Sequence, residues 1–302
     1  MRAKILLLKF IGFIIISFIL LFLILNLIPI DPSFFLAGPF ATQETIQKMH
    51  NLLGLDKPIF VRFFKQLWNI FFTGNIKSFY YNQSVYKLLY HQGKYSIAAL
   101  TIIYIISFTF AFITSLFFKP RSRKLINTVN IIFQVSLVPP YIYGIFTLWI
   151  LSFFGVSPIK NIYIYWSFMI LISSYHPMAL TMLTLIKGIE NENETKFYPM
   201  LYYAKGFSPL KINLILIKRF IPQAIAQLIA LFAYILSSIF FCEYLFNLPG
   251  IGNLLITSTF RNDRAVILVS GVLLSILVYS TYLIGELTIS RVYKSKPLFT
   301  NQ

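Results

Sequence analysis

Three histidines, one cysteine and nine acids are the side chains with which this 302-residue chain could do chemistry. His50, His91 and His176 are scattered along it, and a lone histidine is more often a hydrogen-bonded structural residue than a metal ligand. Cys242 stands alone, so neither a disulfide framework nor a thiolate metal site can form within the chain. There is no G-x-x-x-x-G-K-S/T loop to cradle phosphates, no H-E-x-x-H and no G-x-S-x-G. No catalytic group, metal site or bound cofactor is therefore assigned. If the chain is part of a pump, its energy source lies on another chain.

Charged residues gather instead in residues 189–223, IENENETKFYPMLYYAKGFSPLKINLILIKRFIPQ, the longest polar interruption in the second half of the chain. This stretch holds Glu190, Glu192 and Glu194, three of the nine acids, and five bases. Residues 196–205 are predicted to form a short helix. Thr195 can cap it, Pro199 falls in its first turn, Gly206 is a natural stop, and Pro209 lies just beyond. Such a helix would be amphipathic, carrying Phe197, Tyr198, Leu201 and Tyr202 toward something other than lipid tails. The alternative is an ordinary solvated loop between two membrane helices.

The elements that position this stretch must be membrane helices. The chain is 58% hydrophobic and 12% charged, whereas a soluble domain carries about a quarter charged residues. A helix crosses the hydrocarbon core with about 20 apolar residues. Six charge-free windows of that size occur, at 10–30, 95–118, 125–159, 161–186, 220–242 and 265–285. Backbone polar groups cannot go unpaired in lipid and no alternating-strand pattern is present, so the expected fold is an all-α integral membrane protein of six transmembrane helices. The net charge of +17 lies in the connections, where anionic lipid headgroups are a simpler counter-charge than nucleic acid. The first window is longer than a signal core, and Leu27-Ile28-Pro29-Ile30 lacks a small-residue cleavage site, so it is read as a retained helix.

Basic residues orient the chain. Arg2, Lys4 and Lys9 precede the first window, four bases lie at 119–124 two crossings later, and Arg291, Lys294 and Lys296 follow the last. The positive-inside rule then makes both termini and a loop at 189–219 cytoplasmic and the long connection 31–94 external. Within 31–94, Ile59, Phe60, Phe63, Phe64, Leu67, Ile70 and Phe71 recur at helical spacing with Arg62, Lys65 and Asn69 between them. That pattern fits an amphipathic helix, either on the outer leaflet or capping the bundle. Pro139-Pro140 removes two backbone donors inside the third window, and His176-Pro177 interrupts the fourth. Such breaks persist only where protein or a watery cavity receives the freed carbonyls, so each marks a permeation path or a packing kink. The windows show no ligand-like polar cluster. With no internal repeat, residues 1–302 read as a single domain.

Several stretches carry a family resemblance. Tyr198 followed by Tyr203-Ala204-Lys205-Gly206-Phe207-Ser208 resembles the D-Y-x-x-x-A-R-A-K-G-L-S stretch of permease subunits of binding-protein-dependent ABC importers, in the branch serving dipeptides, oligopeptides and nickel. Pro29-Ile30-Asp31-Pro32 is similar to that branch's P-G-D-P, and Leu53-Gly54-Leu55-Asp56-Lys57-Pro58 to L-G-L-D-x-P. Gly74-Asn75-Ile76-Lys77-Ser78 resembles G-D-L-G-x-S, and Val138-Pro139-Pro140-Tyr141 sits where the branch has its P-S-F segment. Residues 242–252, with Glu243, Pro249, Gly250 and Gly252, are similar to V-E-x-x-F-x-x-P-G-L-G, and Arg261 and Asp263 stand near the family's R-D. The departures are Phe197 for the family's acid, Tyr203 for its first arginine, a shorter spacing from Gly206 to Pro222, and no terminal D-P-R, near whose place Lys296-Pro297 stands. An ionised glutamate at the bilayer centre costs about 2.5–3.5 kcal/mol, so Glu243 is expected at the outer interface.

The resemblance implies the EAA-loop architecture of an ABC importer permease in a bacterial cytoplasmic membrane. Its partners would be a second homologous permease, two cytoplasmic ATPase subunits that hold ATP and Mg, an external solute-binding protein and the lipid bilayer. The 196–205 helix would dock into an ATPase groove. Phe197, Tyr198 and Tyr202 would be its apolar anchors, Ala204 part of the motif, Lys205 a rim charge, and Gly206 the stop that sets the exit angle. Short peptides are the substrate class implied first and nickel or a metal chelate second. A non-transporting assembly or sensory subunit with the same fold is the alternative from another class.

Overall fold

The computed structural model describes residues 2–27, 31–38, 40–118, 123–158, 160–195 and 198–294. Ile28, Pro29, Ile30, the bases at 119–122, Phe197, Lys296 and Pro297, noted above, lie outside them. Apart from a hairpin of β1 (Lys77–Ser78) antiparallel to β2 (Gln83–Ser84), regular structure in the described residues is helical. Among the described residues five helices are long and apolar enough to cross a membrane, and a sixth crossing is available if a pair bent by 83° counts as one span. The chain divides into two compact units, Met1–Ser96 with Pro249–Tyr279 and Ile97–Leu248 with Ser280–Gln302.

In the first unit α1 (Arg2–Leu27) is followed by α2 (Pro32–Ala37), α3 (Gln43–Leu53) and α4 (Ile59–Trp68). Asp31 caps α2 by accepting the Ser33 N–H at 2.9 Å, with Pro32 in the first helical position where no donor is needed. Thr42 caps α3, and Gly54 ends it in the left-handed conformation at φ +66°. The amphipathic helix expected around residue 65 is α4, continued by a π-helical turn, Asn69–Thr73. Its Phe63, Leu67 and Ile70 pack on Phe18 and Phe22 of α1 and on Leu268 of α13 (Arg264–Lys294). Phe60, Phe64 and Trp68 stay exposed on another face, so the helix is packed on one side and open on the other. Ser96, in α5 (Val85–Leu116), accepts the leading N–H of α12 (Ile251–Phe260) at 2.9 Å.

The second unit contains the rest of α5 and α13 together with α6 (Arg123–Ser136), α7 (Pro140–Phe153), α8 (Ile162–Thr195), α9 (Tyr198–Ala204), α10 (Pro209–Ala230) and α11 (Phe232–Leu245). Its core joins Met182, Leu185, Ile186 and Ile189 of α8 to Ile212, Leu216, Ile217 and Ala224 of α10. The double proline breaks the third window into α6 and α7, the bent pair. The Val135 carbonyl, to which Pro139 has no N–H to offer, accepts the Tyr143 hydroxyl at 2.7 Å and the Val138 N–H at 3.2 Å. Pro177 behaves differently: α8 continues through it as one helix, and the Thr181 hydroxyl donates to its carbonyl at 2.6 Å.

Two boundaries differ from the hydropathy windows. The fifth span runs Pro209–Ala230, earlier than the 220–242 window, because Ser208 and Pro209 start a helix whose first turns carry Lys211, Lys218 and Arg219. A turn at Leu231 then separates it from α11. At the other side α8 runs on to Thr195, so the acids at 190–194 sit on a helix and not in a loop. Glu192 is nearly buried there, and its carboxylate meets the Arg219 guanidinium at 3.0 Å.

Candidate functional site

The helix expected at 196–205 is α9, within those limits, and the residues that end it do so through a complete set of backbone bonds. The Gly206 N–H donates to the Tyr203 carbonyl at 3.0 Å and the Phe207 N–H to the Tyr202 carbonyl at 3.1 Å, with Gly206 left-handed at φ +75°. This is the Schellman arrangement, which satisfies carbonyls that a helix end otherwise leaves open. Its usual apolar contact is present as Tyr202 stacked on Phe207, centroids 5.6 Å apart. The Phe207 ring also carries the Lys211 ammonium, 4.3 Å from its centroid. Ser208 immediately caps α10 by accepting the Lys211 N–H. Stop, turn and restart thus occupy three residues, which holds α9 at a set angle to α10.

The stacking decides which side chains α9 presents. Tyr202 packs against the unit's core together with Phe207, so it is not an outward anchor. The Tyr198 side chain lies outside the described residues; among those described, the exposed apolar side chains are Met200, Leu201 and Tyr203, followed by exposed Ala204 and Lys205. In the same unit, the buried Asn213 amide donates to the Leu116 and Phe118 carbonyls at 2.9 and 2.7 Å, capping the end of α5. Sequence patterning does not single out Asn213 or the Glu192–Arg219 pair. An asparagine at the start of an apolar helix is the one available signal.

A polar cluster, unexpected from the windows, lies within the same unit near the broken span. Ser136 of α6 and His176 Nδ1 of α8 are 3.1 Å apart, and the Ser238 hydroxyl of α11 donates to Ser173 of α8 at 2.8 Å. The Tyr234 ring lies 4.8 Å from the His176 ring. Each helix contributes one or two polar residues, too few to register along any single window. Pro139 and Pro140 stand at the edge of this cluster because Ser136 directly precedes the break.

The residues at 242–263 are distributed between the two units. Glu243 is fully buried in α11, and α11 ends with Asn247 left-handed at φ +50° and the Leu248 N–H on the Glu243 carbonyl at 2.8 Å. In the first unit Gly250 is extended and precedes α12, Gly252 is buried near its start, and Pro249 leads into the turn. Asp263 caps α13: it is almost buried and accepts the Ser78 hydroxyl and the Val266 N–H. Two fragments noted separately in the sequence, one ending at Ser78 and one at Asp263, therefore meet.

Burial raises the Asp263 carboxyl above the ordinary carboxylate range, although the Ser78 hydroxyl and the Val266 and Ala265 N–H groups pull it back. A carboxyl raised in the folded state binds its proton more tightly there than when unfolded. Its contribution to stability is therefore greatest at acid pH, and is lost as pH rises from the unfolded value through the folded one. Ser78→Ala removes a donor to a buried carboxylate and is expected to cost about 1–3 kcal/mol. The loss in melting temperature should be larger at pH 8 than at pH 5, and Asp263→Asn should flatten that difference. A Ser78→Ala variant that melts like the wild type at both pH values would show that the carboxylate does not depend on Ser78.

Residues 104–293 match the family described as binding-protein-dependent transport system inner membrane component. Residues 3–85 match the description binding-protein-dependent transport system membrane component, N-terminal. A protein of Sinorhizobium fredii named as a peptide ABC transporter permease is 25% identical over 286 residues, 87% of this chain and 91% of its own length. Proteins of Brucella abortus and Brucella suis named as peptide transport system permeases are 40% identical over 67 residues, 22% of this chain. That match spans only 21% of the Brucella proteins' length.

Proposed function

This chain belongs to the family of binding-protein-dependent transport system inner membrane components, a multi-pass membrane protein, and from that premise we propose that it is the permease subunit of an ATP-driven importer of short peptides. The observation that carries the proposal is α9. A short helix stopped by a left-handed glycine, braced by Tyr202 on Phe207 and carried between α8 and α10, presents Met200, Leu201 and Tyr203 to a partner. On this proposal that partner is a cytoplasmic ATPase holding ATP and Mg, since the chain has no phosphate loop of its own. Both termini and α9 face the cytoplasm, and the 31–94 segment faces an external solute-binding protein. A second, homologous permease completes the pathway. ATP-driven closure of the ATPases moves α9, and α8 and α10 transmit that movement to the cluster of Ser136, His176, Ser173 and Ser238, which lines the path. Peptides are favoured over nickel because the Brucella and Sinorhizobium relatives are named for peptides.

Uptake of radiolabelled di- and tripeptides and of nickel in a strain lacking this gene tests the substrate. Peptide uptake should fall while nickel uptake stays normal. Loss of nickel uptake alone would move the chain to metal import, and normal uptake of both would leave a non-transporting subunit. The purified chain should hydrolyse no ATP unless an ATPase co-purifies with it. Turnover by the chain alone would overturn the division of labour.

A further inference from the structure

The amphipathic helix α4, with the turn that continues it, is divided into three sectors. Along α4 and its π-helical continuation, Phe63, Leu67 and Ile70 form the packed face already described. Phe60, Phe64, Trp68 and Phe72 recur every fourth residue on a second face and are 75%, 65%, 57% and 66% exposed. Trp68 and Phe72 stack on one another at 4.5 Å. Arg62, Lys65, Gln66 and Asn69 occupy the remaining sector, and all four line a cavity of about 410 Å³ within the first unit. Five basic side chains line that cavity, Lys57, Arg62, Lys65, Lys77 and Arg264, against one acid, Asp263. The acid is already occupied by the Ser78 hydroxyl and the Val266 N–H. The Arg62 Nε is buried and has no hydrogen-bond partner among the described residues.

Asp31 lies within Coulombic reach of Arg264, and a concave site that keeps an excess of cations and a buried donor left over suits an oxyanion. The neighbouring sector says where that oxyanion comes from. A row of exposed aromatic rings beside a basic row on one helix is the pattern of a helix lying at a bilayer interface, rings among the acyl chains and basic heads at the phosphate level. We propose that the cavity beside α4 binds the phosphate of an anionic phospholipid, with Arg62 and Lys65 as its principal donors. The proposal needs only that the chain sits in a bilayer, so it stands or falls independently of the transport function.

The test is native mass spectrometry of the full chain, with any subunits that accompany it, in micelles holding equal amounts of phosphatidylglycerol and phosphatidylcholine. Wild-type protein should retain phosphatidylglycerol preferentially. Anionic lipid attracts each basic residue by ~1 kcal/mol, so Lys65→Gln should weaken retention about 5-fold and Arg62→Gln/Lys65→Gln about 30-fold. Lys65 is exposed, so its single variant reports on binding even if the double variant folds poorly. Lys48→Gln, which removes an exposed lysine paired with Glu44 on α3, should change nothing. Equal retention of the two lipids by wild type, or a preference unaltered by Lys65→Gln and by a folded double variant, would overturn the assignment. So would a site that takes up inorganic phosphate but shows no lipid preference, which would make it a pocket for a soluble anion.

Discussion

Gly206→Val should abolish uptake while the chain remains inserted at its normal level. The position is exposed, and a Cβ there would meet nothing within 4 Å, so the substitution does not disturb packing. Its effect is on the backbone. Gly206 is left-handed at φ +75°, a conformation that costs an ordinary L-residue about 1–2 kcal/mol and is a genuine outlier for a β-branched one. Valine would shift the turn toward negative φ, breaking the paired bonds from Gly206 to Tyr203 and from Phe207 to Tyr202. α9 would then leave α10 at a different angle, and Met200, Leu201 and Tyr203 would no longer meet their partner together. Gly206→Asn should retain most uptake, because the chain already places Asn247 and Asn262 in the same conformation, φ +50° and +53°, at the ends of α11 and α12. Met200, Leu201 and Tyr203 changed together to alanine should lower the amount of ATPase that co-purifies. Lys205→Ala should do little, since exposed ion pairs contribute about 0–1 kcal/mol. Normal uptake by Gly206→Val would reduce α9 to a plain connection.

The second large effect is expected at Gly188, on the face of α8 that meets α10. A Cβ at this position would lie 2.7 Å from two atoms of the Phe220 ring and 2.8 Å from a third, closer than real contacts allow. The ring itself is packed against the core formed by Ile186, Ile189 and Ile217, so it has little room to withdraw. Gly188→Ala should cost about 1–3 kcal/mol by overpacking, which for a chain of this size lowers the melting temperature by several degrees. Gly188→Val should reduce the folded protein recovered from membranes more severely. Phe220→Leu reshapes the obstructing side chain. In the Gly188→Ala background it should restore part of the loss, giving an interaction energy between the two sites in a double-mutant cycle. Strictly additive losses, measured by thermal unfolding followed on a size-exclusion column, would show that α8 and α10 do not meet through this pair. Because α9 is held between these helices, uptake should track the folded fraction.

What could be read from the order of residues was whatever is decided within a turn or two of the chain. Apolar windows gave the spans because lipid admits only helices there. Pro139-Pro140 gave the break because the missing donors belong to those two residues. Gly206 gave the stop because it acts on its own backbone. The start of α10 was misplaced for a related reason: hydropathy weighs Lys211, Lys218 and Arg219 as interruptions, whereas capping starts the helix ahead of them. Tertiary structure alone decided the rest. Read from the sequence, Phe197, Tyr198, Leu201 and Tyr202 make up the presented face. The run Tyr198 to Ala204 is, however, apolar almost all round, so periodicity does not decide which side faces inward. Packing of Tyr202 on Phe207 set that rotation and left Met200, Leu201 and Tyr203 outside. Ser78 and Asp263 lie 185 residues apart, and Asn213 lies 97 and 95 residues from the carbonyls it caps. Such pairs form only when distant elements dock. The choice of which helices dock is set by the packing of whole faces, which no single stretch of sequence contains.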